Sequence, residues 1–107
     1  MNKVKEYTID FTNVKYYLEM HEIIRDSLNF PPYYGCNWDA FWDCITDMVG
    51  KKLYIRIIGI ENIRKKFNDE ADILKSILEE FKHYENDLYI NDISIEIIYK
   101  DGKKTVI

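Results

Sequence analysis

The chain is predicted to form a small α/β layer fold, a single domain over residues 1–107 with a three-stranded parallel sheet and helices packed against it. Three observations predict this. Short β-rich runs and longer stretches of helical periodicity follow one another as strand, helix, helix, strand, helix, helix, strand, an order that joins parallel neighbours through helical crossovers. The middle run, Leu53-Tyr54-Ile55-Arg56-Ile57-Ile58, is largely apolar, as expected of a strand covered on both faces. At 107 residues, 47% of them hydrophobic and 15% aromatic, there is material for one packed core and too little chain for a second.

Val4 to Asp10 alternates and is rich in β-formers, which makes it the first strand. Asn13 can cap a helix running to about Leu28, with Tyr17, Met20, Ile24 and Leu28 as its apolar stripe. Pro31-Pro32 then forbids helix and imposes an extended turn. Asn37 can cap a second helix that ends near Val49, with Gly50 as its stop. The second strand, Leu53 to Ile58, ends at Gly59. A short helix over Asn62 to Phe67 follows, then a longer one from Asp69 to about His83 with Ile73, Leu74, Ile77, Leu78 and Phe81 on one stripe. Ile93 to Tyr99 is the third strand. Asp101-Gly102 is a hairpin signal that lets Lys104 to Ile107 fold back as a short antiparallel edge strand.

Composition excludes several classes of function. A pI near 5.1 and short, interrupted basic steps (Lys51-Lys52, Arg64-Lys65-Lys66) lack the basic stripe expected of a nucleic-acid binder. The longest apolar stretch, Leu53 to Ile60, is broken by Arg56 and is too short to span a membrane. No apolar run follows the first residues as a secretory signal would require, so a cytoplasmic location is expected. Cys36 and Cys44 are read as free thiols, because eight residues along one helix would separate them by about 12 Å. His21 and His83 lack companions at metal-ligand spacing, so neither a metal nor another cofactor is expected, and His21 reads as a capped or half-buried structural histidine.

The chain has 19 acids against 15 bases, and three of those acids, Asp39, Asp43 and Asp47, lie between Ser27 and Gly50, where there is no Lys or Arg. On a helical wheel the three fall along one face, with Thr46 beside them. Trp38, Phe41, Ile45 and Met48 form the opposite, core-facing stripe, and Trp42 lies on the boundary. The helix macrodipole accounts for Asp39 in the first turn. It does not account for Asp43 and Asp47, since like charges four residues apart cost a few tenths of a kcal/mol. A solvated face and a cation-binding face both remain open on this physics.

The stretch Pro32-Tyr33-Tyr34-Gly35-x-Asn37-x-Asp39-Ala40-x-Trp42-Asp43, with Met20-His21 and Leu28 at matching offsets before it, resembles the barstar family of intracellular ribonuclease inhibitors. The resemblance implies a stoichiometric inhibitor whose second helix and preceding loop plug the active site of a basic ribonuclease or ribonuclease toxin, one to one. Its carboxylates would stand where substrate phosphates stand. Position by position it makes Asp43 the central acid, Asp39 its neighbour one turn earlier, Tyr33 the loop aromatic and Gly35 the loop glycine. Trp42 and Thr46 match the flanking contacts, and Tyr34, Asn37 and Asp47 are expected to join them in binding the partner. Family members also use an acid from the last long helix, for which Glu80 is the first choice and Glu79 the second. Two departures stand out: Cys36 replaces an acid of the best-known members, and Asp47-Met48 replaces a glycine and a bulky aromatic.

The runner-up is an interaction module of the same fold that binds another basic protein without blocking a nuclease. Catalysis is not expected. Asp39 and Asp43, one turn apart on one helix, do not face each other across a substrate as paired acid–base carboxylates must. The unbound chain is expected to be a monomer that binds neither nucleic acid nor membrane.

Overall fold

The computed structural model describes residues 4–48, 52–88 and 93–107, with the backbone alone over 85–88. Its elements run β1 (Lys5–Asp10), α1 (Tyr17–Ser27), α2 (Trp38–Thr46), β2 (Leu53–Ile58), α3 (Ile60–Phe67), α4 (Glu70–Leu88), β3 (Ile93–Ile98) and β4 (Lys104–Val106). The sheet order is β1-β2-β3-β4, parallel between the first three strands and antiparallel at the last pair. The register lines up Ile9, Ile57 and Ile97 across the parallel strands.

One expectation fails at the sheet. Leu53, Ile55 and Ile57 are buried with Ile93, Ile95 and Ile97, but the alternate residues Tyr54, Arg56 and Ile58 are only half-buried. The strand β2 is therefore covered on one face. The chain steps from β1 to β2 to β3 in one direction, and right-handed crossovers in one direction deliver both pairs of helices to the same side. The open face carries polar pairs instead: the Tyr54 hydroxyl donates to Glu96 at 2.9 Å, and the Arg56 guanidinium lies 5.1 Å over the Tyr54 ring.

Helix α1 starts four residues after Asn13, at Tyr17. Its cap is the Glu19 carboxylate, which accepts the backbone N–H groups of Lys15 (2.8 Å) and Tyr16 (3.0 Å). The side facing the core carries Met20, His21, Ile24 and Leu28, while Tyr17 stays 39% exposed. At its C-terminus Asn29 adopts φ +57° and the Phe30 N–H donates to the Arg25 carbonyl at 2.9 Å. This is the αL residue and six-to-one bond of a Schellman stop, and it turns the chain into Pro31-Pro32.

Helix α2 begins where predicted, capped by Asn37, and ends at Thr46; the predicted Val49–Gly50 terminus lies outside the described residues. Gly59, at φ +81°, closes β2 with its Cα against the β1–α1 loop. A β-carbon there would come within 2.6 Å of the Thr12 nitrogen, so this close turn requires glycine. Helix α3 starts at Ile60, two residues earlier than predicted, so that the Asn62 amide can donate to the carbonyls of Phe11 (2.8 Å) and Val14 (3.0 Å) and tie down that loop. Helix α4 extends past His83. It buries Ala71, Leu74, Leu78 and Phe81, and Ile77 is partly buried against the core, whereas Ile73 of the predicted stripe is exposed. The predicted hairpin forms at Gly102 (φ +87°), and β4 follows as the antiparallel edge.

Candidate functional site

The 31–37 loop and α2 are anchored from below, which decides which side chains they can offer. Tyr33 is 84% exposed, whereas its neighbour Tyr34 is 5% exposed, packed on Phe30, with its hydroxyl joined to His21 Nδ1 at 2.8 Å. Tyr34 thus supports the loop and does not present its ring to solvent. Both ends of the Asn37 amide are also occupied: Oδ1 accepts the Ala40 N–H at 2.8 Å and Nδ2 donates to the Gly35 carbonyl at 3.2 Å. Gly35 is exposed at the loop surface, with its carbonyl held by Asn37. The left-handed residue of this loop is not Gly35 but Cys36, at φ +54°.

On α2, Asp39, Asp43 and Asp47 are exposed, and Phe41 and Ile45 are buried beneath them. Helix α4 passes alongside, and the two helices enclose an open groove of about 430 Å³ lined by Trp38, Asp39, Trp42, Asp43, Ile77 and Glu80. Acids therefore stand on both walls over an apolar floor. Among the described residues none of these three carboxylates has a basic partner. Glu80 lines the groove; Glu79 does not. Thr46 and Asp47 lie outside it, and the Thr46 hydroxyl is held within the helix by the carbonyls of Trp42 (2.8 Å) and Asp43 (3.2 Å).

Two further residues shape the groove. The Trp42 ring meets Tyr84 edge-on at 5.7 Å, and Trp38 donates its indole N–H to Glu70 at 2.7 Å. Tyr84 could have been found in the sequence, being four residues after Glu80 and seven after Ile77 on one helical stripe; ending the helix at His83 hid it. The Glu70 contact spans 32 residues and has no local signal.

Beneath the groove His21 is completely buried, deeper than the half-buried position expected, with Trp38 4.6 Å from its ring centre and the Tyr17 hydroxyl 3.4 Å from Nε2. Burial pushes its pKa below the ordinary 6.5, against an opposing pull from the Glu70 charge. The unfolded chain then takes up a proton that the folded chain refuses. Stability should be full above pH 6.5, fall as the pH drops below it, and level off once the folded histidine itself protonates. A melting series from pH 7.5 to 5 should show this loss in the wild type and a smaller one in His21→Gln; equal losses would assign the acid sensitivity to other groups. Burial and the nearby Asp47 and Asp43 likewise raise the Cys44 pKa, which keeps this thiol protonated and in a packing role. Both cysteines are free, and the described residues hold no cluster of three or more potential metal ligands.

Among the described residues no helix is long and apolar enough to cross a membrane. Residues 4–92 match the family profile described as Barstar (barnase inhibitor). A protein of Bacillus subtilis (strain 168) named "Putative ribonuclease inhibitor YrdF" is 34% identical over 71 residues, which make up 66% of this chain and 75% of that relative.

Proposed function

The chain belongs to the barstar family, and from that membership we propose that it is a stoichiometric inhibitor of a small basic ribonuclease or ribonuclease toxin, acting in the cytoplasm as an immunity protein. The observation that carries this reading is the groove itself. Asp39 and Asp43 from α2 and Glu80 from α4 converge, without basic partners among the described residues, on a floor of Trp38, Trp42 and Ile77. Unpaired carboxylates fixed on two helices suit an array of Arg, Lys and His side chains that otherwise binds RNA phosphates, because charge-assisted bonds to a guanidinium fork are roughly twice as strong as neutral ones.

Asp43 takes the central place and Asp39 and Glu80 flank it. Tyr33 and the Gly35 backbone extend the surface along the loop, and Trp42, Thr46 and Asp47 continue it toward the C-terminal end of α2. Tyr34 and Asn37 contribute by holding this surface in shape. The protein performs no chemistry; it occludes, one molecule to one enzyme.

The test is inhibition of RNA cleavage across a panel of barnase-type and toxin-type ribonucleases, with a non-cleavable RNA analogue added as competitor. One-to-one inhibition that the analogue relieves is the expected result. Binding that leaves cleavage intact, or that the analogue does not disturb, would refute occlusion and favour an interaction module of the same fold.

A further inference from the structure

We infer that Glu70 is a positioning residue for the groove: by accepting the indole N–H of Trp38 it fixes the first turn of α2 against the first turn of α4 and so sets the spacing of the two acidic walls. At 2.7 Å the bond is short, and its acceptor is a carboxylate, the stronger class of hydrogen bond. Trp38 is the first residue of α2, directly before Asp39 and directly after the capping Asn37. Its ring is held on other sides by His21 (4.6 Å) and by Phe41, edge-on at 5.7 Å, so the bond to Glu70 removes much of its remaining freedom.

The macrodipole by itself explains an acid in the first turn of α4, where Asp72 stands as well. It does not explain a contact made across to α2. Along α4, Glu70, Ile77 and Tyr84 recur every seven residues and so lie on one stripe. Glu70 bonds Trp38, Ile77 lies in the groove, and Tyr84 meets Trp42. The groove is thus pinned at both ends, by Trp38–Glu70 and by Trp42–Tyr84, with Asp39 and Asp43 on one wall and Glu80 on the other. A groove whose width is fixed before binding loses less freedom on docking, and the gain is read mainly in the dissociation rate.

The geometry stands without a partner, but its consequence for binding rests on the inhibitor reading. The experiment therefore has an arm on the free protein and an arm on the complex. In the free protein, hydrogen exchange of the Trp38 indole N–H, followed by NMR, should accelerate about tenfold in Glu70→Leu and stay near wild type in Glu70→Gln, whose amide oxygen can still accept the bond. With a ribonuclease that the wild type inhibits, dissociation should be about tenfold faster for Glu70→Leu and within about twofold of wild type for Glu70→Gln. Trp38→Phe, which removes the donor, should also speed dissociation, and the double variant Trp38→Phe with Glu70→Leu should be no worse than the poorer single one.

Glu70→Gln dissociating as fast as Glu70→Leu would show that charge matters and not the bond, and would overturn the inference; so would unchanged indole exchange in Glu70→Leu. If Glu70→Leu fails to fold, Trp38→Phe decides: faster dissociation supports the inference and an unchanged rate overturns it. If the wild type inhibits no ribonuclease, the inhibitor reading fails on its own account. Indole exchange in the free protein then supports the positioning role if it accelerates in Glu70→Leu and recovers in Glu70→Gln, and refutes it otherwise.

Discussion

Asp43→Ala should weaken binding to the target ribonuclease by about 2–5 kcal/mol, roughly thirtyfold to several thousandfold in Kd, while the free protein folds as before. That range comes from protein–protein charge pairs in general, the barnase–barstar pair itself among them. Asp43 lines the groove together with Asp39 and Glu80, and among the described residues it has no basic partner. Docking would therefore pair it for the first time. Truncation removes the charge-assisted bonds and strands the enzyme's cation in a buried site, and that stranded charge is the larger part of the loss. In the free protein Asp43 is exposed and stands four residues from both Asp39 and Asp47, so its removal also relieves like-charge repulsion. Asp47→Ala serves as the comparison, since Asp47 lies outside the groove and should act as a rim charge, changing the association rate more than the dissociation rate. Calorimetric titration beside a thermal melt measures both quantities. Normal binding by Asp43→Ala would remove it from the centre of the interface.

The groove combines what α2 alone announces with what only the fold can supply. The acids of α2 are legible because helical periodicity puts every fourth residue on one face and nearby apolar residues define the other. Glu80 is reached from the sequence through the family resemblance alone, because how α4 lies against α2 is a matter of tertiary packing that periodicity does not encode. The adjacent pair Tyr33 and Tyr34 shows the same limit more sharply. Identical in type, they differ from 84% to 5% exposure because a buried histidine thirteen residues earlier in sequence receives only one of them. The sheet shows a different limit. Its strands and their parallel order follow from the succession of elements, but an apolar middle strand reads the same whether one or both faces are covered. The polar alternation of Ser94 and Glu96 in β3, facing the same side as Tyr54 and Arg56, was the available signal for an open face.

Phe41→Ala should produce the largest loss of stability, about 3–5 kcal/mol, against the 5–15 kcal/mol that typically separates folded from unfolded domains. Phe41 is completely buried, with its ring edge-on to Trp38 at 5.7 Å and to Phe30 at 5.9 Å. Truncation removes most of the transfer free energy of an aromatic ring and leaves a cavity that the surrounding elements can only partly close. Phe30 leads into Pro31-Pro32 and Trp38 begins α2, so the cavity opens where the loop and the helix meet. Each kcal/mol should lower Tm by about 4–8 °C in a domain of this size. Asp43→Ala, two residues along the same helix, should leave Tm nearly unchanged, so the pair separates what holds the fold from what the fold presents. Phe41→Leu, which refills much of the space, should recover a large part of the loss. An unchanged melting temperature for Phe41→Ala would mean that α2 does not bury the face assigned to it, and the acidic row on its other side would lose its orientation with it.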